Sequence, residues 1–310
     1  MKFSFGLKTL SLQTENMASR KFYQRLLYVA GIFLAFFAIT VLCFPFLAKA
    51  FHINLSSRPG MLFAGAFQAI VMFIAPALVA SRVVSYSPAS FLHLDRTSSW
   101  LSYVGVVFAY LIFLPALNQI IYWNQNLMFP ESWAYWGETL RAIEEQAEAK
   151  SQLMLSVTSF GAMIVNLLII ALLTGFAEEL LFRGTFQSAG ASSGAHYTAI
   201  WVVALLFSAM HMQFFGFIPR LLLGAWFGYL LFWTRSIYVP AFAHFLNNGV
   251  VVVCSWLTAR GSTYDFEHFG VTEYGFPLPA FISALAFVAF ILFFKNFFFS
   301  HSKQLRPEYV

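Results

Sequence analysis

Charge is what this sequence has least of. Only 10% of its 310 residues are Asp, Glu, Lys or Arg, where a soluble domain carries about a quarter. That shortage excludes an ordinary soluble enzyme. Cysteine is nearly absent, and Cys43 and Cys254 both fall inside apolar runs, so they read as packing residues and no disulfide framework is indicated. No period-two alternation is present, which excludes a lipid-facing barrel. There is no repeat, no low-complexity tract and no His-Glu-x-x-His. The net charge of +5 comes from dispersed basic residues, so nucleic acid is not an expected partner.

What is present is apolar length. The chain is 60% hydrophobic, with a mean hydropathy of +0.72, and its apolar runs reach the ~20 residues a spanning helix needs. The reading is an all-α integral membrane protein of about eight transmembrane helices around a polar intramembrane cavity. The spans fall at residues 26–48, 61–80, 100–122, 153–183, 198–212, 218–233, 237–257 and 278–294, with Pro76 and Pro115 as kinks. The first run is too long for a signal-peptide core and lacks a convincing cleavage site, so it is expected to be retained. With the N-terminus inside, twelve of the 18 Lys and Arg lie inside, and only Lys49, Arg58, Arg141, Lys150, Arg220 and Arg260 lie outside. Both termini are therefore expected to be cytoplasmic. Residues 1–25 read as a basic cytoplasmic segment, 26–297 as the membrane domain and 298–310 as a cytoplasmic tail.

The connection 123–152 holds Glu131, Glu138, Glu144, Glu145 and Glu148. Its apolar residues Trp133, Trp136, Leu140, Ile143 and Ala147 recur at helical spacing. An amphipathic helix on the outer membrane surface is expected, as a connector with an aromatic anchor rather than a gate.

Against this background the ionisable residues inside spans stand out. Of 13 acidic residues only Glu178 and Glu179 fall inside a span, where insertion of each costs about 2.5–3.5 kcal/mol near the bilayer centre. A single Glu would read as a helix end near the headgroups. The pair reads as an interior site because later spans carry matching groups. Arg183 stands four residues after Glu179 and so shares its helical face. His211 ends the fifth span, and His244 and Asn248 share one face of the seventh. Ser208, in a small-residue setting, reads as a packing residue and not as a nucleophile. A Glu with a His can hold and deprotonate a water, and a His with an Asn can donate to an oxyanion. Zinc binding and a proton relay are the rival uses of the same groups.

Three ordered motifs carry a resemblance. Glu178-Glu179-Leu180-Leu181-Phe182-Arg183-Gly184, Phe207-Ser208-Ala209-Met210-His211 and His244-Phe245-Leu246-Asn247-Asn248 resemble those of the CAAX-processing and bacteriocin-processing (CPBP) intramembrane endopeptidases, the family of the type II CAAX prenyl endopeptidases. The likeness covers the motif core 174–248, about a quarter of the chain. It implies an eight-helix fold with a cavity open to the cytosol. It implies that Glu178 and His211 activate the hydrolytic water, that His244 and Asn248 form the oxyanion site, and that Glu179 and Arg183 support them. It implies no metal and no cofactor. The expected protein is thus an intramembrane glutamic-type endopeptidase of a bacterial cytoplasmic membrane, with membrane lipids and a hydrophobic or membrane-anchored protein or peptide substrate as partners. A non-enzymatic self-immunity or scaffold protein on the same fold is the alternative.

Overall fold

The structure, a computed structural model, describes residues 22–192 and 194–299; the segments 1–21 and 300–310, which hold most of the two expected cytoplasmic tails, lie outside the described residues. Those residues form helices and no strands. This follows from the composition, since in lipid a backbone must satisfy its own hydrogen bonds within each segment or close into a barrel.

Among the described residues seven helices are long and apolar enough to cross a membrane: α1 (Phe22–Ala50), α2 (Arg58–Val84), α3 (Trp100–Gln125), α5 (Phe160–Ala191), α7 (Phe217–Thr234), α8 (Tyr238–Ala259) and α9 (Leu278–Phe298). Between them lie the amphipathic α4 (Ala134–Leu155) and the short α6 (His196–Ala209). Two expected spans have different limits. The fourth begins at Phe160 and not at Leu153, because Ser159 caps it by accepting from the Ala162 N–H, and it runs on to Ala191. The fifth ends at Ala209. Its 14 residues reach only about 21 Å at 1.5 Å per residue, and Met212 then takes a left-handed φ of 55° that turns the chain back.

The two ends of α7 are tied near opposite ends of α3. The turn that leads into it is held at the end of α3, where Asn124 donates to the Phe214 carbonyl and accepts from the Ile218 N–H. Its far end is held by the segment after α2: Ile237 N–H donates to the His93 carbonyl and Ser236 Oγ to that of Arg96. The described residues thus hold seven membrane-length helices and the shorter apolar α6 beside α7.

Both prolines expected to kink their helices stand where the backbone ladder is irregular. A π-helical segment, Ala69–Ile74, leads into Pro76 within α2. At Pro115 the Ser283 hydroxyl of α9 enters the broken ladder, accepting from the Ala116 N–H and donating to the Ile112 carbonyl. Together with Ser102 Oγ donating to the Phe298 carbonyl, these bonds fix α3 antiparallel to α9.

The apolar core has two main parts. One gathers Phe73, Ala77, Leu180, Phe182, Phe207 and Leu231; the other gathers Tyr110, Leu114, Trp226, Phe227, Val239 and Ala243. The seam between them is where α5 meets α7. There Arg183 and Gln187 donate to the carbonyls of Gly224 and Gly228, an approach that small residues permit. A Cβ on Gly228 would stand 2.8 Å from Gln187 Oε1 and 2.9 Å from Ile200 Cγ2. Gly228→Ala is therefore expected to lower the melting temperature in detergent, with overpacking costing about 1–3 kcal/mol. Gly161→Ala, where nothing lies within 4 Å, is expected to melt like wild type.

Candidate active site

The site is built on an irregular stretch of α5. Two π-helical segments, Leu167–Leu173 and Leu180–Gln187, flank the short α-helical turn Thr174–Glu179. Hydroxyls complete the widened turns: Thr174 Oγ1 donates to the Ile169 carbonyl, Thr185 Oγ1 to that of Leu180 and Ser188 Oγ to that of Arg183, each five residues back. Such insertions recur at functional sites because they re-aim side chains. Here the neighbours Glu178 and Glu179, about 100° apart on a helix of 3.6 residues per turn, are directed to different surroundings.

Glu179 is fully buried and is the hub of a charged network. Its Oε1 accepts from Arg183 Nη1 at 2.8 Å and from His244 Nδ1 at 2.9 Å. Arg183 Nη2 reaches the Gly224 carbonyl at 3.0 Å. The guanidinium lies among aromatic rings, its Cζ 4.4 Å from the Phe207 centroid and 5.4 Å from that of Phe227. The His244 ring stacks on Phe227 at 5.1 Å and meets Phe207 edge-on at 5.8 Å. Since a carboxylate can only accept, its bond places the His244 proton on Nδ1. Nε2 stands 3.8 Å from Glu178 Oε2. That separation is too long for a hydrogen bond.

Glu178 faces a cavity of about 240 Å³ lined by Gln68, Met72, Phe73, Phe182, Met210 and His211. His211 Nδ1 donates to the Phe207 carbonyl at 2.8 Å, which closes the C-terminus of α6 and leaves Nε2 as an acceptor. One cavity thus holds a carboxylate and an imidazole lone pair, with His244 behind the carboxylate. Such a set can orient a water and remove its proton.

The loop that follows His211 is gripped by α4. Glu144 accepts from Gln213 Nε2 at 3.1 Å and from the Phe215 N–H at 3.3 Å. Arg141 Cζ stands 3.6 Å from the Phe215 ring centroid, and Arg220 Nη1 donates to the Gln213 carbonyl. The acidic segment is helical, as its spacing predicts, and it is bonded to the loop that carries His211 in addition to connecting two spans.

Of the six site residues expected from sequence, Glu179, Arg183 and His244 form one network, and Glu178 and His211 share one cavity beside it. Asn248 stands apart. Its Nδ2 points to the Ile170 carbonyl at 3.4 Å and its Oδ1 accepts from Asn247, and it does not line the cavity with Glu178. Sequence reading centred on ionisable groups passed over several amides in apolar helices, among them Gln187 on Gly228, Asn166 accepting from Arg58 at 2.7 Å, and Gln68 on the cavity wall. Among the described residues no three His, Cys, Asp or Glu side chains converge as a metal site.

Fold and site together define an all-α integral membrane protein with carboxylates, imidazoles and a guanidinium gathered among its apolar helices. Comparison with known families adds the second step. Residues 160–250 match the family model described as type II CAAX prenyl endopeptidase Rce1-like, the resemblance its three motifs carry. The uncharacterized protein YpbD of Bacillus subtilis (strain 168) is 31% identical over 91 residues, which are 28% of this chain and 44% of that protein. The chain therefore spans less than half the length of that curated relative. No solved structure matches.

The two layers of the site give different expectations. Arg183→Ala strips the buried Glu179 of its charge partner, a loss of about 3–5 kcal/mol for pairs of this kind. A marked fall in detergent melting temperature and in membrane accumulation is expected. Glu144→Ala is expected to leave global melting within a few degrees of wild type while speeding amide exchange at Phe215. Unchanged exchange there would show that the loop does not depend on α4.

Proposed function

We propose that this protein is an intramembrane endopeptidase that hydrolyses a peptide bond of a membrane-associated or hydrophobic substrate by general-base activation of water. The carrying observation is that Glu178 and His211 line one cavity within the segment 160–250 that matches the type II CAAX prenyl endopeptidase model. In this reading a water sits between the Glu178 carboxylate and His211 Nε2. Its oxygen attacks the scissile carbonyl carbon as its proton passes to Glu178. Glu178 then returns that proton to the leaving nitrogen as the C–N bond breaks. The bond from His211 to the Phe207 carbonyl fixes the tautomer, so the nitrogen facing the water is the unprotonated one.

Glu179 and Arg183 act at one remove. They hold His244 by Nδ1 and set its Nε2 against Glu178. Asn248 joins the site on substrate binding by leaving its long bond to Ile170. Met72, Phe73, Phe182 and Met210 supply apolar cavity wall, which favours an apolar or lipid-associated substrate segment. The surplus of Lys and Arg on one side of the eight expected spans supports a cytoplasmic N- and C-terminus, and we assign the protein to a bacterial cytoplasmic membrane.

The test is hydrolysis of a hydrophobic peptide library by the purified protein. Glu178→Gln, nearly isosteric, is expected to melt close to wild type and to lose about 10²–10⁴-fold in turnover, the range attributed to general-base catalysis. Wild-type activity is expected to survive exhaustive chelation. Full turnover by Glu178→Gln, or one tightly held zinc per chain whose removal stops the reaction, overturns this mechanism.

A further inference from the structure

Gln68 is the only polar side chain between Met61 and Ala80. A polar group in such a run is costly and marks an internal pathway or site more often than a lipid-facing surface. The structure gives it a specific place. It is the last α-helical residue before the π-helical segment Ala69–Ile74, and it lines the same cavity as Glu178 and His211 with two residues of that segment, Met72 and Phe73. Other amides in the apolar helices are engaged: Asn118 with the carbonyls of Phe266 and Phe269, Gln119 with Thr272, Asn166 with Met154, Gln187 with Gly228 and Asn248 with Ile170. Gln68 is exposed on the cavity side and makes no side-chain hydrogen bond to any described residue.

The cavity's polar inventory gives this amide a task. Glu178 is an acceptor. His211 has its Nδ1 proton on the Phe207 carbonyl and presents an acceptor. Met72, Phe73, Phe182 and Met210 offer no N–H or O–H from their side chains. His244 has its proton on Glu179, and Asn248 can reach a substrate only by leaving its bond to Ile170. Among the residues that line the cavity, the Gln68 amide is therefore the one uncommitted side-chain donor. Hydrolysis of a peptide bond needs a donor there, since hydrogen bonds to the oxyanion of the tetrahedral intermediate are usually the largest single contribution to acyl-transfer catalysis.

We propose that Gln68 is a catalytic residue whose Nε2–H donates to the substrate's scissile carbonyl oxygen. The assignment rests on the hydrolytic reading of the cavity. As water attacks and its proton moves to Glu178, the carbonyl π pair moves onto the oxygen, where Gln68 meets the developing charge. On collapse the pair re-forms the C=O bond, the C–N bond breaks, and the nitrogen takes the proton back from Glu178. The helix α2, which lies outside the segment matching the family model, thereby supplies part of the reaction centre.

The experiment uses the full-length protein in detergent, the fastest-cleaved peptide of a hydrophobic library, and the same peptide with a phosphinate in place of the scissile amide. Wild type, Gln68→Met and Glu178→Gln are compared. Methionine keeps the length of the side chain and suits an apolar helix, so Gln68→Met is expected to melt at or above wild type. Its kcat is expected to fall about 10²–10³-fold, the effect of removing one oxyanion donor, with KM within a few-fold. Phosphinate affinity is expected to fall in parallel, while Glu178→Gln still binds the phosphinate. If wild type cleaves, Glu178→Gln does not, and Gln68→Met keeps its kcat or changes only KM, the Gln68 assignment is overturned and the hydrolytic reading stands. If wild type neither cleaves nor binds the phosphinate, the hydrolytic reading falls and the assignment falls with it.

Discussion

A single carboxylate oxygen, Oε1 of Glu179, organises the interior of this protein. It takes a proton donor from Arg183 on its own helix and one from His244 on α8, while Arg183 extends the contact to the Gly224 carbonyl on α7. Three helices are tied by one buried cluster. Removing a charge from such a cluster is far more damaging than its net contribution suggests, because the partner is left buried and unpaired. The aromatic rings of Phe207 and Phe227 pack against the Arg183 guanidinium and the His244 ring, so geometry is held by packing as well as by charge.

This division explains why two adjacent glutamates coexist in one apolar helix. Glu179 is held by two donors and is not free to exchange protons with a substrate. Glu178 has none within hydrogen-bonding distance and opens on a cavity. The two stand about 100° apart on one α-helical turn, and so face different surroundings. In the proposed mechanism structure and reactivity fall on neighbouring residues, with His244 between them.

Much of this was legible in the sequence, for a physical reason. Ionisable groups are so costly in lipid that Glu178, Glu179, Arg183, His211 and His244 are conspicuous in an apolar run, and the pairing of Glu179 with Arg183 follows from their spacing. The features that escaped detection carry no such signal. The widened turns of α5 depend on hydroxyls meeting carbonyls five residues back, which hydropathy does not register. The early end of α6 is set by His211 binding the Phe207 carbonyl, although the apolar run itself continues past Ala209. The spacing of Trp136, Leu140 and Ile143 gives α4 its amphipathic form, but the partners of Glu144 lie 69 and 71 residues away. Gln68 was invisible to a search for charges because an amide is neutral.

The central claim is that Glu178 performs the chemistry within a frame that Glu179 holds. Its most direct test is an experimental structure of the protein with a phosphinate-containing peptide bound. The account predicts the phosphinate between Glu178 and His211, with Glu179 still bonded to both Arg183 and His244. A phosphinate seated on Glu179, or bound away from this cavity, would contradict it.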